Sequence, residues 1–198
     1  LLEDIEHLVR AAAAGALGKF ALLAELGKLP ESAAHKVEEA LLTAFNNTNE
    51  QVNVRCRVLE AISSLSKPRV EELIRQAYQS DSLEFRASAL YAMGQNCSPG
   101  WLPILLKELH SPYPQLRFEA VGACGEIEAE EAVPRLIGLL SDSDDQVQIA
   151  VIEALGRIGG TEAKEALQGC LDSLEEPIRQ TAQEALGGMG FWEDPFNL

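Results

Sequence analysis

The feature that most constrains this chain is an interval of 31 residues at which the same kinds of side chain return. Ala123 has an alanine at the corresponding position of every neighbouring copy. The matching positions are Ala61, Ala92, Ala154 and Ala185. A second set is apolar throughout and consists of Val54, Phe85, Leu116, Val147 and Ile178. Self-similarity at a fixed period of this length predicts a tandem array of supersecondary units instead of one closed core.

Each unit has the pattern of two amphipathic helices, as residues 113–143 illustrate. Their apolar residues form two groups with helical spacing, separated by an acidic bend at residues 128–131. The groups are Leu116, Ala120, Ala123, Cys124 and Ile127, and then Val133, Leu136, Ile137 and Leu140. Such spacing is typical of one apolar helix face. Because a pair of one-sided helices needs neighbours to cover it, we predict an all-α fold, an α-solenoid of antiparallel helix pairs.

The repeat register divides the chain, which we predict to be a single α-solenoid over residues 1–198, into successive copies. Regular copies occupy 51–81, 82–112, 113–143 and 144–174, and an extended copy occupies 9–50. Residues 1–8 correspond to the end of a truncated upstream repeat, and residues 175–198 to a C-terminal half-repeat and cap. The pattern therefore predicts a fragment of a larger repeat protein.

The two ends of the array depart from the regular pattern. Apolar residues at helical spacing continue from Phe20 to Leu29, so we expect the first helix to run past its usual end and to stop at Pro30. The inserted segment 19–36 either carries a specific function or covers the open edge of the array. At the other end, Gly187, Gly188 and Gly190 are expected to end the last helix. The tail 191–198 is then expected to fold back as a cap, with a docking peptide as the alternative.

Composition excludes several classes of partner. The net charge is −15, from 16 basic and 31 acidic residues, which argues against nucleic acid and against an anionic membrane surface. The same charge permits a basic protein partner, with a role in keeping the array soluble as the alternative. We expect no membrane span, because no apolar run approaches ~18 residues. Four dispersed cysteines are typical of reduced thiols in a cytoplasmic protein, with Cys124 as a small core residue.

The repeated unit resembles the short HEAT-like repeat. The residues that carry the resemblance are an apolar residue followed by arginine, two alanines and a glycine. In one copy these are Leu116, Arg117, Ala120, Ala123 and Gly125. The resemblance covers residues 9–190 and extends to bilin-lyase-type HEAT repeats and to uncharacterised bacterial HEAT-repeat proteins. It implies the fold but no defined activity. A phycobilin lyase-like role, or a role as chaperone subunit for a tetrapyrrole protein, is the alternative it leaves open.

No group of residues predicts catalysis. His7, His35 and His110 are single, and none is followed by the glutamate of the His-Glu pairs that hold metal in HEAT-like hydroxylases. We therefore expect no catalytic, cofactor-binding or metal-binding residues. The protein is predicted to be a non-catalytic, cytoplasmic scaffold for protein–protein interaction that binds a protein or peptide.

Two sets of side chains are candidates for a role beyond packing. The first is a group of aromatic and basic residues expected on the surface, since such residues favour interfaces. Its members are Tyr91, Trp101, Tyr113, Lys107 and Arg135. The second is an arginine ladder at the start of the first helices, interrupted by Gln148. Its members are Arg10, Arg55, Arg86, Arg117 and Arg179. We expect each guanidinium to bond turn carbonyls or a nearby aspartate such as Asp81 or Asp142, tying repeats together.

Overall fold

The computed structural model describes the backbone of residues 1–193 and the side chains of residues 1–189. Within these residues the fold is all-α, as the repeat pattern predicts. Its helices are α1 (His7–Glu25), α2 (Glu31–Asn46), α3 (Val52–Ile62), α4 (Pro68–Tyr78), α5 (Leu83–Asn96), α6 (Leu102–Glu108), α7 (Pro114–Glu126), α8 (Val133–Gly138), α9 (Asp145–Ile158), α10 (Thr161–Cys170) and α11 (Glu176–Glu193). Short 3₁₀ turns occupy Pro99–Trp101, Glu130–Ala132 and Leu139–Ser141. The α-solenoid class is confirmed.

The helices pack in two compact units, Leu1–Ser98 and a second that begins at Pro99. In the first unit α3 lies between α1 and α5, while α2 contacts α1 and α3, and α4 contacts α5. In the second unit α9 lies between α7 and α11, with α6 against α7, α8 against α9, and α10 against α9 and α11. Within each unit, the first helix of one repeat therefore packs on the first helix of the next.

Small residues set the distance between these first helices. A Cβ atom added to Gly125 of α7 would lie 3.1 Å from the Cα atom of Ala154 in α9. One added to Gly156 of α9 would lie 2.8 Å from the Cβ of Ala185 in α11. Gly18 of α1 makes the same approach to α3. A side chain larger than hydrogen at these glycines would push the two helices apart. The glycines and alanines therefore recur every 31 residues because the backbones of neighbouring first helices pack directly against each other.

Four of the five alanines of the repeat pattern lie in the core, and Ala185 is partly buried. Ala92, Ala123 and Ala154 are all buried, as is Cys124. Burial raises the pKa of the Cys124 thiol to about 12, so this side chain behaves as a small apolar residue.

In four of the first helices, α1, α7, α9 and α11, a polar side chain at the start of the helix donates back to the preceding turn. Arg117 Nη1 donates to the carbonyl oxygen of Ser111 at 2.9 Å, six residues earlier. The same step back of six residues recurs three times, each with a donor–acceptor distance of 2.6 Å. These bonds run from Arg10 to Asp4, from Gln148 to Asp142, and from Arg179 to Ser173. Because buried carbonyl groups need a donor, these bonds hold the turns in one conformation.

Arg117 also joins two turns of the second unit. Its Nε and Nη2 atoms donate to the two carboxylate oxygens of Asp142 at 2.7 and 2.6 Å, and both side chains are largely buried. This bidentate bond lowers the pKa of Asp142 below its usual value, against the effect of burial. Arg55 differs, because its Nε donates to the carbonyl oxygen of Phe45 and its guanidinium lies over the rings of Phe45 and Phe85. Arg86 lies over the ring of Tyr78.

Two predicted helix ends are wrong. Helix α1 is longer than the other first helices of its unit, as expected, but it ends at Glu25 and not at Pro30. Gly27 has a φ of +64°, and the N–H of Lys28 donates to the carbonyl oxygen of Leu23. Glycine adopts this left-handed conformation without steric cost, so the helix ends here, before the chain reaches Pro30.

The predicted end of α11 is also wrong, because its glycines were expected to end the helix. The helix continues past Gly187 and Gly188 to Glu193. Glycine costs a helix roughly 1 kcal/mol per residue, which weakens the helix without ending it. The predicted cap, 191–198, falls outside the residues whose packing the structure describes.

Helix α1 departs from the expectation that no apolar stretch is long enough to span a membrane. Among the described residues it is the one helix that is long and apolar enough to cross a membrane, judged by length and composition alone. Its apolar content is largely alanine, it carries Arg10 and Lys19, and it packs against α2 and α3. These are features of a helix within a packed helical unit, so composition alone does not make α1 a membrane span.

Replacing Gly156 with alanine is expected to lower the free energy of unfolding by about 1–2 kcal/mol, because the new methyl group meets α11. The matched control is Gly122→Ala in α7, where an added Cβ meets nothing within 4 Å. That change is expected to raise the free energy of unfolding by roughly 0.5–1 kcal/mol through helix propensity. Urea unfolding followed by circular dichroism measures both, and equal effects of the two changes would contradict the packing argument.

Replacing Arg117 with alanine is expected to lower the free energy of unfolding by about 2–4 kcal/mol, since it leaves the buried carboxylate of Asp142 without its partner. Arg57→Ala is the control, because Arg57 pairs with Glu60 on the surface. That loss is expected to stay below about 1 kcal/mol. Urea unfolding of both variants tests the difference, and similar losses would rule out a special role for the buried pair.

Candidate interaction surface

Helix α1 buries much less of its surface than the equivalent helix of a later copy. Only two of its residues, Ala14 and Ala21, are buried. The equivalent helix α9, which packs between two other first helices, buries six residues. They are Val147, Ala150, Val151, Ile152, Ala154 and Leu155. Among the described residues, α3 is the first helix that packs against α1, and the side of α1 away from α3 is exposed.

A cleft of about 850 Å³ lies along this outer side, between α1 and α2. Apart from Thr43 and Glu39, the side chains that the two helices contribute to its lining are apolar. We name this surface the α1 face and define it by Ala13, Ala16, Leu17 and Phe20 of α1 with Ala40, Thr43 and Ala44 of α2. Leu1 and Leu2 also border the cleft. A surface with this composition suits close contact with another apolar surface.

Exposed apolar side chains concentrate in the first 26 residues, which include α1. Among the described residues, seven of the thirteen large hydrophobic side chains that are exposed lie within residues 1–26. They are Leu1, Ile5, Leu8, Val9, Phe20, Leu22 and Leu26. Phe20, at the end of the cleft, is 46% exposed. Of the seven, Leu1 and Phe20 line the cleft, whereas Leu22 borders a separate groove next to α3. Single exposed apolar side chains are ordinary on a protein surface, so the cleft itself is the feature that indicates a contact site.

An ion pair holds the end of α1 next to the cleft. The Nε and Nη2 atoms of Arg10 donate to the carboxylate of Glu50 at 2.6 and 2.7 Å. Its Nη1 atom donates to the backbone carbonyl oxygens of Asp4 and Ile5. These bonds lower the pKa of Glu50 and connect the chain before α1 to the turn after α2. The first turn of α1 is therefore tied to the turn that follows α2.

The rim of the cleft is polar and partly acidic. Glu3, Glu39 and Asn47 border it, and the only charges among its lining residues are these two carboxylates. An apolar floor with an acidic rim favours an apolar surface flanked by basic side chains.

Tyr91, a predicted partner-binding residue, is 42% exposed on α5 in the first unit. It borders a smaller groove of about 350 Å³ that runs across α1, α3 and α5. Lys19, Arg57, Glu60 and Gln95 also border this groove, so it is more polar than the α1 face.

Trp101 was wrongly placed on the surface. Its side chain is completely buried at the end of the 3₁₀ turn that precedes α6. The repeat register contains the signal that identifies this position as core. The equivalent residues Val70, Ala132 and Ala163 are apolar in sequence and buried in the structure. A large aromatic residue at this position fills the interior and is not available as an interface anchor.

The remaining candidates lie in the second unit. Tyr113, at the N-cap of α7, is 49% exposed. Lys107 has a side chain that is 75% exposed, and Arg135 on α8 is also exposed. Next to Lys107, Glu108 is buried, although the repeat register places it on the same polar surface. The α1 face itself was missed, although the alanines of α1 and the length of the first copy are visible in the sequence.

Comparison with known proteins places the fold. Residues 102–187 match the family described as HEAT repeats. No curated protein matches the chain. Similar solved structures include the complex of CpcE and CpcF of phycocyanin lyase from Nostoc sp. PCC7120, at 20% identity and a TM-score of 0.64 over 98% of this chain and 76% of that chain.

Two further similar structures are artificial repeat proteins. A designed armadillo repeat protein in complex with the peptide (KR)4 has 19% identity and a TM-score of 0.60, over 95% of this chain and 96% of that chain. An engineered protein has 23% identity and a TM-score of 0.57, over 96% and 94%. At these identities the likeness concerns the fold alone.

Replacing Trp101 with alanine is expected to lower the free energy of unfolding by about 3–5 kcal/mol, because it leaves a cavity in the core. Tyr91→Ala, at an exposed position, is expected to cost less than about 1 kcal/mol. Thermal and urea unfolding of the two single variants measure the contrast. If Trp101→Ala were as stable as the unmodified protein, Trp101 would not be a core residue.

Proposed function

We propose that this protein, whose residues 102–187 match the family described as HEAT repeats, is a non-catalytic scaffold that binds a partner protein through the α1 face. The observation that carries this proposal is the apolar cleft between α1 and α2, in the region where exposed hydrophobic side chains concentrate. The partner supplies an apolar helical surface, which lies along α1 and covers Ala16 and Phe20.

The shape and chemistry of the α1 face support a helical partner. Alanine side chains at positions 13 and 16 let another helix approach closely, while Leu17 and Phe20 supply larger apolar contacts. Both α1 and α2 contact α3, so the surface exists before binding. A preformed surface loses little conformational entropy when the partner arrives.

The charge of the chain supports a partner with basic side chains beside its apolar strip. The net charge is −15, and Glu3 and Glu39 lie at the rim of the cleft. Opposite charges raise the association rate and select the partner, while the apolar floor supplies most of the affinity. The designed armadillo protein with bound (KR)4 is an example of a repeat protein of similar fold that takes a basic peptide.

The proposal is tested with a photo-crosslinking amino acid at position 20 and an extract of the cells that produce the protein. We expect one dominant cross-linked protein, and we expect Ala16→Arg to reduce its yield roughly tenfold or more, because the large cation occupies the cleft. Gly169→Arg is the matched control, since Gly169 is exposed on α10 with open space around it. Equal yields from the unmodified and Ala16→Arg proteins would contradict docking at this surface.

A lyase-like or chaperone role toward a tetrapyrrole protein is the second hypothesis. The fold likeness to the phycocyanin lyase complex and a cleft of about 850 Å³, large enough for a small ligand, favour it. Titration with a bilin separates the two hypotheses. A shift in bilin absorbance that disappears in Ala16→Arg would support the second, and an unchanged spectrum would count against it.

A further inference from the structure

We propose that the groove across α1, α3 and α5 binds a short extended peptide with a carboxylate at its centre and an apolar side chain at each end. We name it the polar groove. It has a volume of about 350 Å³, lies within the first unit and shares no residue with the α1 face. The side chains that carry the proposal are Lys19, Leu22, Arg57, Ser64, Tyr91 and Gln95.

The extended helix of the first copy builds one wall of the polar groove. Helix α1 has 19 residues, whereas α3 has 11. In the repeat register Lys19 corresponds to Ser64, which lies beyond the end of α3, so α1 continues where α3 has ended. In the last turn of α1, the carboxylate of Glu25 accepts from the N–H of Ser66 at 3.1 Å. This bond holds the added part of α1 against the turn after α3.

Small residues form the floor of the polar groove. Gly15 and Gly18 of α1 line it together with Ala61 of α3. A Cβ atom added to Gly18 would lie 3.1 Å from the Cα atom of Ala61, whereas one added to Gly15 would meet nothing within 4 Å. The groove therefore lies on the side of α1 that packs on α3, and contacts inside the first unit determine its shape.

The polar groove is positively charged, although the chain as a whole is acidic. Its charged lining residues are Lys19, Arg57 and Glu60, which leave a net charge of +1. Both oxygens of the Glu60 carboxylate are engaged, because they accept from Arg57 Nη1 and from Ser88 Oγ, each at 2.7 Å. Lys19 is exposed, and among residues 1–189 its ammonium group has no ion pair or hydrogen bond. The charged residues at the rim of the α1 face are, in contrast, both acidic.

The side chains around the groove can donate several hydrogen bonds to one acceptor. Arg57 uses one N–H on Glu60, and the rest of its exposed guanidinium can still pair with a carboxylate. The Oγ atom of Ser64 is buried and has no hydrogen-bond partner among the described residues. Its hydroxyl can therefore rotate towards a ligand without losing a hydrogen bond. Since charge-assisted hydrogen bonds are the stronger ones, these donors favour an anionic acceptor.

The direction of the groove favours an extended chain. Helix α3 lies between α1 and α5, and packed helices are 8–10 Å apart, so the distance from α1 to α5 is roughly 16–20 Å. An extended peptide covers this distance with about five or six residues. Leu22 on α1 and Tyr91 on α5 are exposed and provide apolar contact surface at the two ends.

The charge balance favours a carboxylate over a phosphate as the anion. A carboxylate carries one negative charge, which matches the net charge of the groove. A phosphate group carries about −1.5 to −2 at pH 7. Its additional charge would have no counterpart in the groove and would be repelled by a chain of net charge −15.

NMR titration of the full chain with the blocked peptide Leu-Ala-Glu-Ala-Leu tests the proposal. We expect the backbone amide signals of Gly15 and Gly18 to shift and to saturate in the millimolar range, while those of Gly122 and Gly169 in the second unit stay in place. Replacing the central glutamate by glutamine should weaken binding roughly tenfold, because the charge-assisted hydrogen bonds are lost. A phosphoserine at the same place should bind more weakly than glutamate. Unchanged signals of Gly15 and Gly18, or equal or tighter binding of either altered peptide, would overturn the proposal.

Two variants separate a site in the polar groove from general attraction to basic residues. Lys19→Met and Arg57→Ala should each weaken binding of the glutamate peptide roughly tenfold, since each removes a charge-assisted donor. Lys28→Met and Arg69→Ala are the matched controls, because both residues are exposed and neither lines the groove. They should bind like the unmodified protein, and circular dichroism checks that all four variants are folded. Equal binding by the groove variants and their controls would overturn the proposal.

Ala16→Arg distinguishes this site from the α1 face. The substitution lies outside the polar groove, so the glutamate peptide should bind to it unchanged even where cross-linking at position 20 is lost. Loss of peptide binding in Ala16→Arg would place the peptide on the α1 face and overturn the assignment to the polar groove.

Discussion

Contact between a glycine of one first helix and an alanine of the next is the interaction on which the rest of the structure depends. At this contact, as between Gly156 and Ala185, the two backbones approach closely enough that no larger side chain fits. Helix spacing within each unit follows from it, and so does the low aromatic content of the chain. The larger core residues fill only the space that these backbone contacts leave.

Because the contact is directional, each copy has a glycine side and an alanine side. Helix α9 shows both, since its Ala154 meets Gly125 of α7 and its Gly156 meets Ala185 of α11. Ala16 of α1 occupies the repeat position of Ala154 and is exposed. The α1 face therefore has the composition of a contact between repeats.

Much of the fold was predictable because period and amphipathicity are local properties. The helix pairs and the buried alanines at positions 92, 123 and 154 follow from spacing alone. Trp101 was predicted to lie on the surface because aromatic residues favour interfaces, but it is buried. Its repeat position, which is apolar in the other copies, indicated the core. Comparing equivalent positions first would have placed it correctly. The end of α1 was missed because Gly27 acts through backbone conformation, which apolar spacing does not reveal.

By itself, the sequence determined the all-α repeat fold, the register of the copies and the residues available to each helix face. These depend on side-chain periodicity, which is the same in every copy. Only the tertiary structure decided that the guanidinium of Arg55 lies over the rings of Phe45 and Phe85, and that a cleft lies between α1 and α2. Such features depend on which side chains and helices meet in space, and the repeat period does not specify that.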